Sequence, residues 1–253
     1  MNTQSELEPQ PLPQPSIDGL LELSDETVRW HARDARFVSA TIERVLAELP
    51  TFELRDFKWR DDGPANPNLK SVVRLARSRF ERDMPVGVVS NSYRLAQHHE
   101  VAAKCLAGIR AAGVDPRGLK AEAGLTELGE WLNLRIYFPE SFNRKPADKN
   151  DIALRLECFN SVDGSSRLVV LLGWIRWICS NGMIIGETKA ELRDTHDDHL
   201  DLDPIVDAVV NGLKLVDHDL AKMRRWAETK VSGEAMREWA DGELSAAWGK
   251  KAA

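Results

Sequence analysis

The feature that most constrains the fold is segment 152–185, which has the pattern of two strands joined by a tight turn. Apolar residues fall on every second position from Ile152 to Cys158, the period of a half-buried strand. Segment 160–165 then supplies Asn, Ser, Asp and Gly, which favour tight turns. The return run, 168–179, is apolar on both faces apart from Arg176. It therefore predicts a central strand of a sheet with a layer packed on each side.

Shorter patterns predict further elements in the first half of the chain. Strand patterns occur at four places, the second of which also fits a helix: 51–60, 72–79, 85–90 and 131–138. A helix is expected over 100–112, where Val101, Cys105 and Ile109 share one face and Gly113 ends the helix.

Two longer helical stripes flank this region. Apolar residues spaced by 7, 3, 4 and 3 from Val28 to Val45 predict a helix that begins after Ser24 and ends at Pro50. A second, long helix is expected after its capping residue Asp203, with Pro204 in the first turn. Its buried stripe is predicted to be Ile205, Val209, Leu213, Val216, Leu220 and Met223. A last amphipathic segment covers 234–248.

Strands and helices are partly segregated along the chain, which favours an α+β fold with a mainly antiparallel sheet, helices packed on it and a long C-terminal helix. Residues 1–17 are rich in Pro, Gln and Glu and are expected to form a flexible tail, so residues 18–253 would form a single domain. C-terminal helices are expected over 203–248.

Composition places the chain among soluble globular proteins of a reducing compartment. It contains 43% hydrophobic and 29% charged residues, without an apolar run of membrane-spanning length or a signal-peptide pattern, so we expect a cytoplasmic protein and no membrane partner. Cys105, Cys158 and Cys179 are expected to be buried thiols. The net charge of −6 divides into −6 over 1–54, +5 over 55–182 and −5 over 183–253. A basic middle region is compatible with an anion-binding face.

Three blocks of the chain resemble the phage/plasmid-like family described as domain of unknown function 932. The blocks are Val88-Val89-Ser90 with Tyr93 and Gln97-His98-His99-Glu100, then Asn160-Ser161-Val162-Asp163-Gly164-Ser165, and finally Arg176-Trp177-Ile178-Cys179-Ser180-Asn181. They stand in the family's order, and the resemblance covers about 70–215. The family has Asn where His98 stands, and its Arg-His-Thr triplet is rearranged here into Arg193, Thr195 and His196.

This resemblance implies a gene of mobile elements. At the level of strand and helix order it also implies a distant likeness to phage single-strand annealing proteins, which is an analogy of fold.

The richest polar cluster is segment 195–203. Within it, His196 and His199 are three residues apart and could share a helix face, with Asp201 near enough to complete a metal site. The alternative is a solvated acidic connector, because ligand types without shown convergence do not make a site.

Enzyme classes with well-known motifs are not supported, so no catalytic residue and no cofactor is assigned. The sequence lacks a phosphate-binding G-x-x-x-x-G-K-[ST], a G-x-G-x-x-G after a strand and a G-x-S-x-G elbow. The adjacent His98 and His99 favour capping and surface contacts over catalysis. Cys179 with Asn181 fits a buried thiol beside a turn better than a nucleophile.

Nucleic-acid binding is the leading hypothesis. Trp131, Arg135 and Tyr137 share one face of a strand and would offer rings for bases and a guanidinium for phosphate. Further backbone contacts are expected from Arg74, Arg77, Arg79, Lys145, Lys149 and Arg176. The alternative is that the rings pack under another element and the arginines form ion pairs.

Three functions follow in order of preference. The first is a non-catalytic, homo-oligomeric protein that binds single-stranded DNA and promotes annealing or recombination. The second is a protein-interaction module, such as an inhibitor of a host defence factor, which would use segment 196–203 and the C-terminal Trp239 and Trp248. The third is a metal-dependent enzyme using His196, His199 and Asp201.

Overall fold

The computed structural model describes residues 27–30, 33–142, 152–176 and 190–248. The strands in these residues are β1 (Thr27–Trp30), β2 (Arg33–Thr41), β3 (Phe52–Lys58), β4 (Ala65–Arg74), β5 (Met84–Ser90), β6 (Lys120–Thr126), β7 (Trp131–Tyr137), β8 (Ile152–Ser161), β9 (Leu168–Arg176) and β10 (Ala190–Asp194). The α-helices are α1 (Ile42–Ala47), α2 (His98–Ala111), α3 (Pro204–Lys214), α4 (Val216–Glu228), α5 (Gly233–Trp239) and α6 (Ser245–Trp248). A 3-10 turn covers Glu140–Phe142, and a π-helical turn, Ala240–Leu244, joins α5 to α6.

The larger sheet has the strand order β1-β2-β6-β7-β8-β9-β10, and every neighbouring pair is antiparallel. The hairpin predicted from the sequence is β8 and β9, in which Leu156 lies opposite Leu172. Gly164, with φ of +75°, turns the chain between them. The α+β class with a mainly antiparallel sheet is therefore confirmed.

Helices α1, α2 and α3 share a core with this sheet, because each contributes buried residues to one apolar cluster. Ile42, Val101 and Val209 represent the three helices in that cluster, together with alternate residues of β7, β8 and β9. Cys105 and Cys158 are free, buried thiols, as predicted, while Cys179 lies outside the described residues. A hydrogen bond with Cys105, followed by burial, raises the pKa of Cys158.

The smaller sheet has the order β3-β4-β5. Its buried residues Phe52, Val72 and Val89 form a second apolar cluster with Tyr93 and with Val162 at the tip of the β8–β9 hairpin. The small sheet therefore packs against the larger sheet at the tip of the β8–β9 hairpin. The strands expected at 51–60 and 85–90 are confirmed, and the ambiguous segment 72–79 is a strand only as far as Arg74.

Two helical predictions are wrong. The described residues between Val28 and Thr41 belong to β1 and β2, and within the predicted helix only Ile42–Ala47 is helical in the described residues. Residues 35–41 of β2 pair with 120–126 of β6, and this contact with a distant strand overrides the local helical spacing. The long C-terminal helix is instead α3 and α4, which are separated at Leu215 (φ −88°, ψ −7°).

The start of α3 differs in part from the expectation. Pro204 occupies the first turn as predicted, but the Asp203 side chain makes no capping hydrogen bond. Lys104 of α2 donates to that carboxylate instead. The last segment is helical as expected, although α5 has no buried residue. No helix of the described chain combines the length and apolar character needed to span a bilayer.

Candidate functional site

Three segments that are far apart in sequence meet at the tip of the β8–β9 hairpin. They are the end of β5 with Tyr93, the turn 163–167 and segment 195–197 after β10. Together they line an open cleft of about 490 Å³, which we call the hairpin cleft. Two of the blocks that resemble the family therefore converge on one place, and His196 of the rearranged triplet joins them.

The wall of the hairpin cleft is a stacked pair of rings. Tyr93 and His196 lie with ring centroids 5.3 Å apart and planes inclined by 16°. The Tyr93 hydroxyl donates to the Ser161 carbonyl oxygen at 3.0 Å. His196 Nδ1 lies 3.4 Å from the Arg94 carbonyl oxygen, and the Arg94 N–H donates back to the His196 carbonyl oxygen at 3.3 Å. Burial lowers the pKa of His196 and raises that of Tyr93, because it disfavours the charged form of each.

Behind this wall, His98 at the start of α2 is fully buried. Its Nε2 lies 2.8 Å from the Gly129 carbonyl oxygen, and Asn160 Nδ2 lies 3.0 Å from its Nδ1 and 2.9 Å from the Ala96 carbonyl oxygen. An amide nitrogen only donates, so His98 Nδ1 must accept and Nε2 must carry the hydrogen. Burial lowers the pKa of His98 to about 4. His98 therefore joins α2 to β8 as a neutral ring.

Hydrogen bonds between its own residues stabilise the turn 163–167 at the cleft. The Asp163 carboxylate accepts from the Ser165 N–H at 3.0 Å and from the Ser165 hydroxyl at 2.6 Å. A Cβ placed on Gly87 of β5 would lie 2.8 Å from the Asp163 Cβ, so glycine allows this close approach. The small sheet thereby fits against the hairpin tip.

The metal-ligand candidates do not converge. His196 is buried, whereas the His199 side chain is 90% exposed and Asp201 lies at the surface. Asp197 accepts from the Thr195 hydroxyl at 2.7 Å and from the His199 N–H at 2.9 Å. Within the described ranges, no three His, Cys, Asp or Glu side chains are placed to hold a metal ion.

The predicted stacking face of β7 is a buried ion-pair network. Arg135 donates to Glu157 of β8 at 3.1 Å and lies 3.5 Å from Glu122 of β6, while the Tyr137 hydroxyl donates to Glu122 at 2.8 Å. Burial, and then the charge of Glu122, raise the pKa of Tyr137. Trp131 on the same face is only 8% exposed. The strand pattern was correct, but the structure matches the alternative in which these side chains pack and pair.

The other predicted backbone-binding residues are dispersed. Arg74 lies 3.7 Å from Glu81, and Arg77 donates to the carbonyl oxygen of Glu48. Arg79 lies over the Phe80 ring at 4.8 Å. Lys145, Lys149 and the side chain of Arg176 lie outside the described residues. The backbone of Arg176 belongs to β9, and residues 177–179 of the expected strand also lie outside the described residues.

Two exposed aromatic residues in the connections of the small sheet were not identified from the sequence. Trp59, at the end of β3, is 88% exposed, and Phe80, in the β4–β5 connection, is 83% exposed. Each stands beside basic residues, in Lys58-Trp59-Arg60 and in Arg79-Phe80-Glu81-Arg82. An aromatic ring between cations next to the turn sequence Asp-Asp-Gly-Pro was the signal that could have identified Trp59.

Comparison with known proteins agrees with the blocks quoted from the sequence. No curated protein and no solved structure matches the chain. The model of one family, described as "Domain of unknown function (DUF932)", matches residues 85–252, which is about two thirds of the chain. The match begins inside β5 and includes all three segments of the hairpin cleft, whereas Trp59 and Phe80 precede it. The chain belongs to the DUF932 family.

Proposed function

We propose that this protein binds single-stranded DNA without catalysing a reaction on it, and that the small sheet provides the contact. The observation that carries this proposal is the exposure of Trp59 between Lys58 and Arg60. Exposed rings beside cations suit single strands, because every base has a face that can stack and every nucleotide carries a phosphate. The exposed ring of Trp59 is accessible to a base.

A second contact of the same kind lies at the opposite end of the sheet. Phe80 is in the β4–β5 connection with Arg79 and Arg82, whereas Trp59 is in the β3–β4 connection. Strand β4 separates the two ends and has ten residues, so they are about 30 Å apart. One extended strand crossing the sheet could therefore contact both rings.

The wider setting of this proposal comes from the family resemblance. We propose a cytoplasmic role on a mobile genetic element, in which binding promotes annealing or recombination of complementary strands. We also propose that the protein works as a homo-oligomer, because annealing proteins must hold many nucleotides at once. Exposed apolar residues of the C-terminal region, Val231, Met236 and Trp239, support such association.

The test is a fluorescence-anisotropy titration of a labelled 30-nucleotide oligothymidylate at several salt concentrations. Trp59→Ala and Phe80→Ala should each weaken binding about 5- to 100-fold, the usual cost of losing one stacked base. The logarithm of affinity should fall with the logarithm of salt concentration with a slope of about −3 if four cations contact phosphates. Arg60→Ala should reduce that slope by about 0.7.

Trp226→Ala is the matched control. Trp226 is also an exposed tryptophan beside a cation, with Lys222 Nζ 4.9 Å from its ring centroid, but it lies on α4. Its removal should leave the affinity unchanged. Absence of binding at low salt, or an equal loss in Trp226→Ala and Trp59→Ala, would reject the proposed surface.

A further inference from the structure

The hairpin cleft carries a charge that is unfavourable for DNA. Two carboxylates, Asp163 and Asp197, and one guanidinium, Arg167, belong to its lining. Asp194 and Asp198 flank the same segment in the sequence, with the single cation Arg193 next to Asp194. With His196 neutral, the surroundings are negative and would repel phosphates, so a cationic ligand is favoured instead.

The cleft also holds a buried hydrogen-bond acceptor. His196 is 8% exposed and lines the cleft, and its Nδ1 faces the Arg94 carbonyl oxygen, which can only accept. The ring hydrogen therefore belongs on Nδ1, which leaves a lone pair on Nε2. Nε2 is buried and has no hydrogen-bond partner within the described chain. A buried acceptor of this kind costs free energy until a donor reaches it.

We propose that the hairpin cleft binds an arginine side chain presented by a partner protein. A guanidinium is cationic and carries five N–H donors in one plane, so it has donors both for a cleft carboxylate and for His196 Nε2. Because Nε2 is buried, the His196 ring must turn toward the cleft to accept from it. The half-exposed Val88 offers apolar surface to the methylene stem of that arginine. This interaction is independent of the proposed DNA contact, since neither Trp59 nor Phe80 lines the cleft.

The experiment is an NMR titration that follows the imidazole nitrogen and carbon signals of His196. The probes are N-acetyl-arginine amide and its neutral isostere N-acetyl-citrulline amide. The arginine probe should give saturable shifts of the His196 signals, and the citrulline probe should give none at the same concentrations. Asp197→Asn should weaken arginine binding about tenfold, because a charged acceptor is lost. Arg167→Ala should strengthen binding, because a competing cation is removed.

Two controls separate this site from general attraction to an acidic protein. Asp207→Asn changes an exposed carboxylate on α3 outside the cleft and should not alter binding. Spermidine tests whether any cation suffices. Equal shifts with citrulline, equal losses in Asp207→Asn and Asp197→Asn, or tighter binding of spermidine than of arginine would overturn the proposal. Oligonucleotide binding through Trp59 would be unaffected by any of these results.

Discussion

At the scale of single residues, His98 links the helical layer to the central hairpin. The ring occupies the first turn of α2 and contacts both Asn160 of β8 and the Gly129 carbonyl oxygen. Its place in the sequence beside His99 favoured a capping or surface role, yet only His99 is exposed. Capping at this helix comes from Gln97 and Glu100, which form a reciprocal capping box.

The burial of His98 predicts a loss of stability in mild acid. Its folded-state pKa of about 4 lies below the unfolded value near 6.5, so the unfolded state takes up the proton first as the pH falls. The free energy of unfolding should therefore fall by about 1.4 kcal/mol per pH unit between about pH 6.5 and 4. Urea unfolding at several pH values measures this slope.

His98→Asn should remove that part of the slope, although it also lowers stability at neutral pH by about 1–3 kcal/mol through lost hydrogen bonds. His196, whose pKa is also lowered, contributes in the same direction and remains in the variant. His99→Asn, at the exposed neighbouring ring, is the control and should change the slope much less than His98→Asn. An unchanged slope in His98→Asn would contradict the neutral, buried ring.

Arg135 illustrates a residue whose importance is structural. Arg135→Ala leaves the buried Glu157 with Arg155 as its remaining charged partner, because Arg155 donates to Glu157 at 2.7 Å. We expect the free energy of unfolding to fall by about 1–3 kcal/mol, the cost of losing hydrogen bonds to a charged group. Chemical denaturation measures the change, with Arg117→Ala, which breaks an exposed pair with Asp115, as a control without measurable effect. If Arg135→Ala is stable but no longer binds the oligonucleotide, the result would instead support the sequence-based hypothesis that the face of β7 carrying Arg135 contacts DNA.

At the scale of elements, the contact between α2 and α3 depends on Gly108. A Cβ at Gly108 would lie 2.7 Å from the Cβ of Val209 and 3.1 Å from the Val206 carbonyl oxygen. Gly108→Ala should therefore lower the free energy of unfolding by about 1–3 kcal/mol, less the gain in helix propensity. Thermal and urea unfolding would measure this.

Gly242→Ala is the matched control for Gly108→Ala, because nothing lies within 4 Å of its added Cβ in the helical C-terminal segment. It should be neutral or stabilise the protein by up to about 1 kcal/mol. If both substitutions have the same effect, the close approach of the two helices is not what requires glycine at position 108.

The elements that sequence reasoning predicted correctly are those with an unambiguous period. Alternation over 131–138 and 152–158 predicts strands, and β7 and β8 are the result. The stripe from Val28 to Val45 gave the wrong prediction because its pairing partner is a distant strand: Thr41 pairs with Lys120 and Ala35 with Thr126 of β6. The stripe from Ile205 to Met223 misled for another reason. Val209 and Val216, seven residues apart, are both buried on either side of the break at Leu215, so the apolar spacing of a helix continues across the break.

At the scale of the whole molecule, the sequence blocks located the hairpin cleft but did not reveal its chemistry. Segments 88–100 and 160–165 stood out as blocks, and the structure brings Tyr93 and Asp163 together at the cleft. The stacking of His196 on Tyr93 depends on contacts between distant parts of the chain, so no local pattern could predict it. For the same reason, a basic residue such as Arg135 could not be recognised as paired.

The last prediction concerns assembly through the C-terminal region. Helix α5 has no buried residue, and Val231, Met236 and Trp239 are exposed, so removal of 230–253 should leave the core folded. If these apolar side chains join copies of the chain, the full protein should be an oligomer and the shortened one a monomer. The far-ultraviolet circular dichroism spectrum of the shortened protein should lack only the helical signal of the removed residues. Size-exclusion chromatography with light scattering measures both masses. Trp59→Ala, which removes an exposed ring elsewhere, should retain the full assembly, and equal masses for the full and shortened proteins would rule out this surface as the contact between copies.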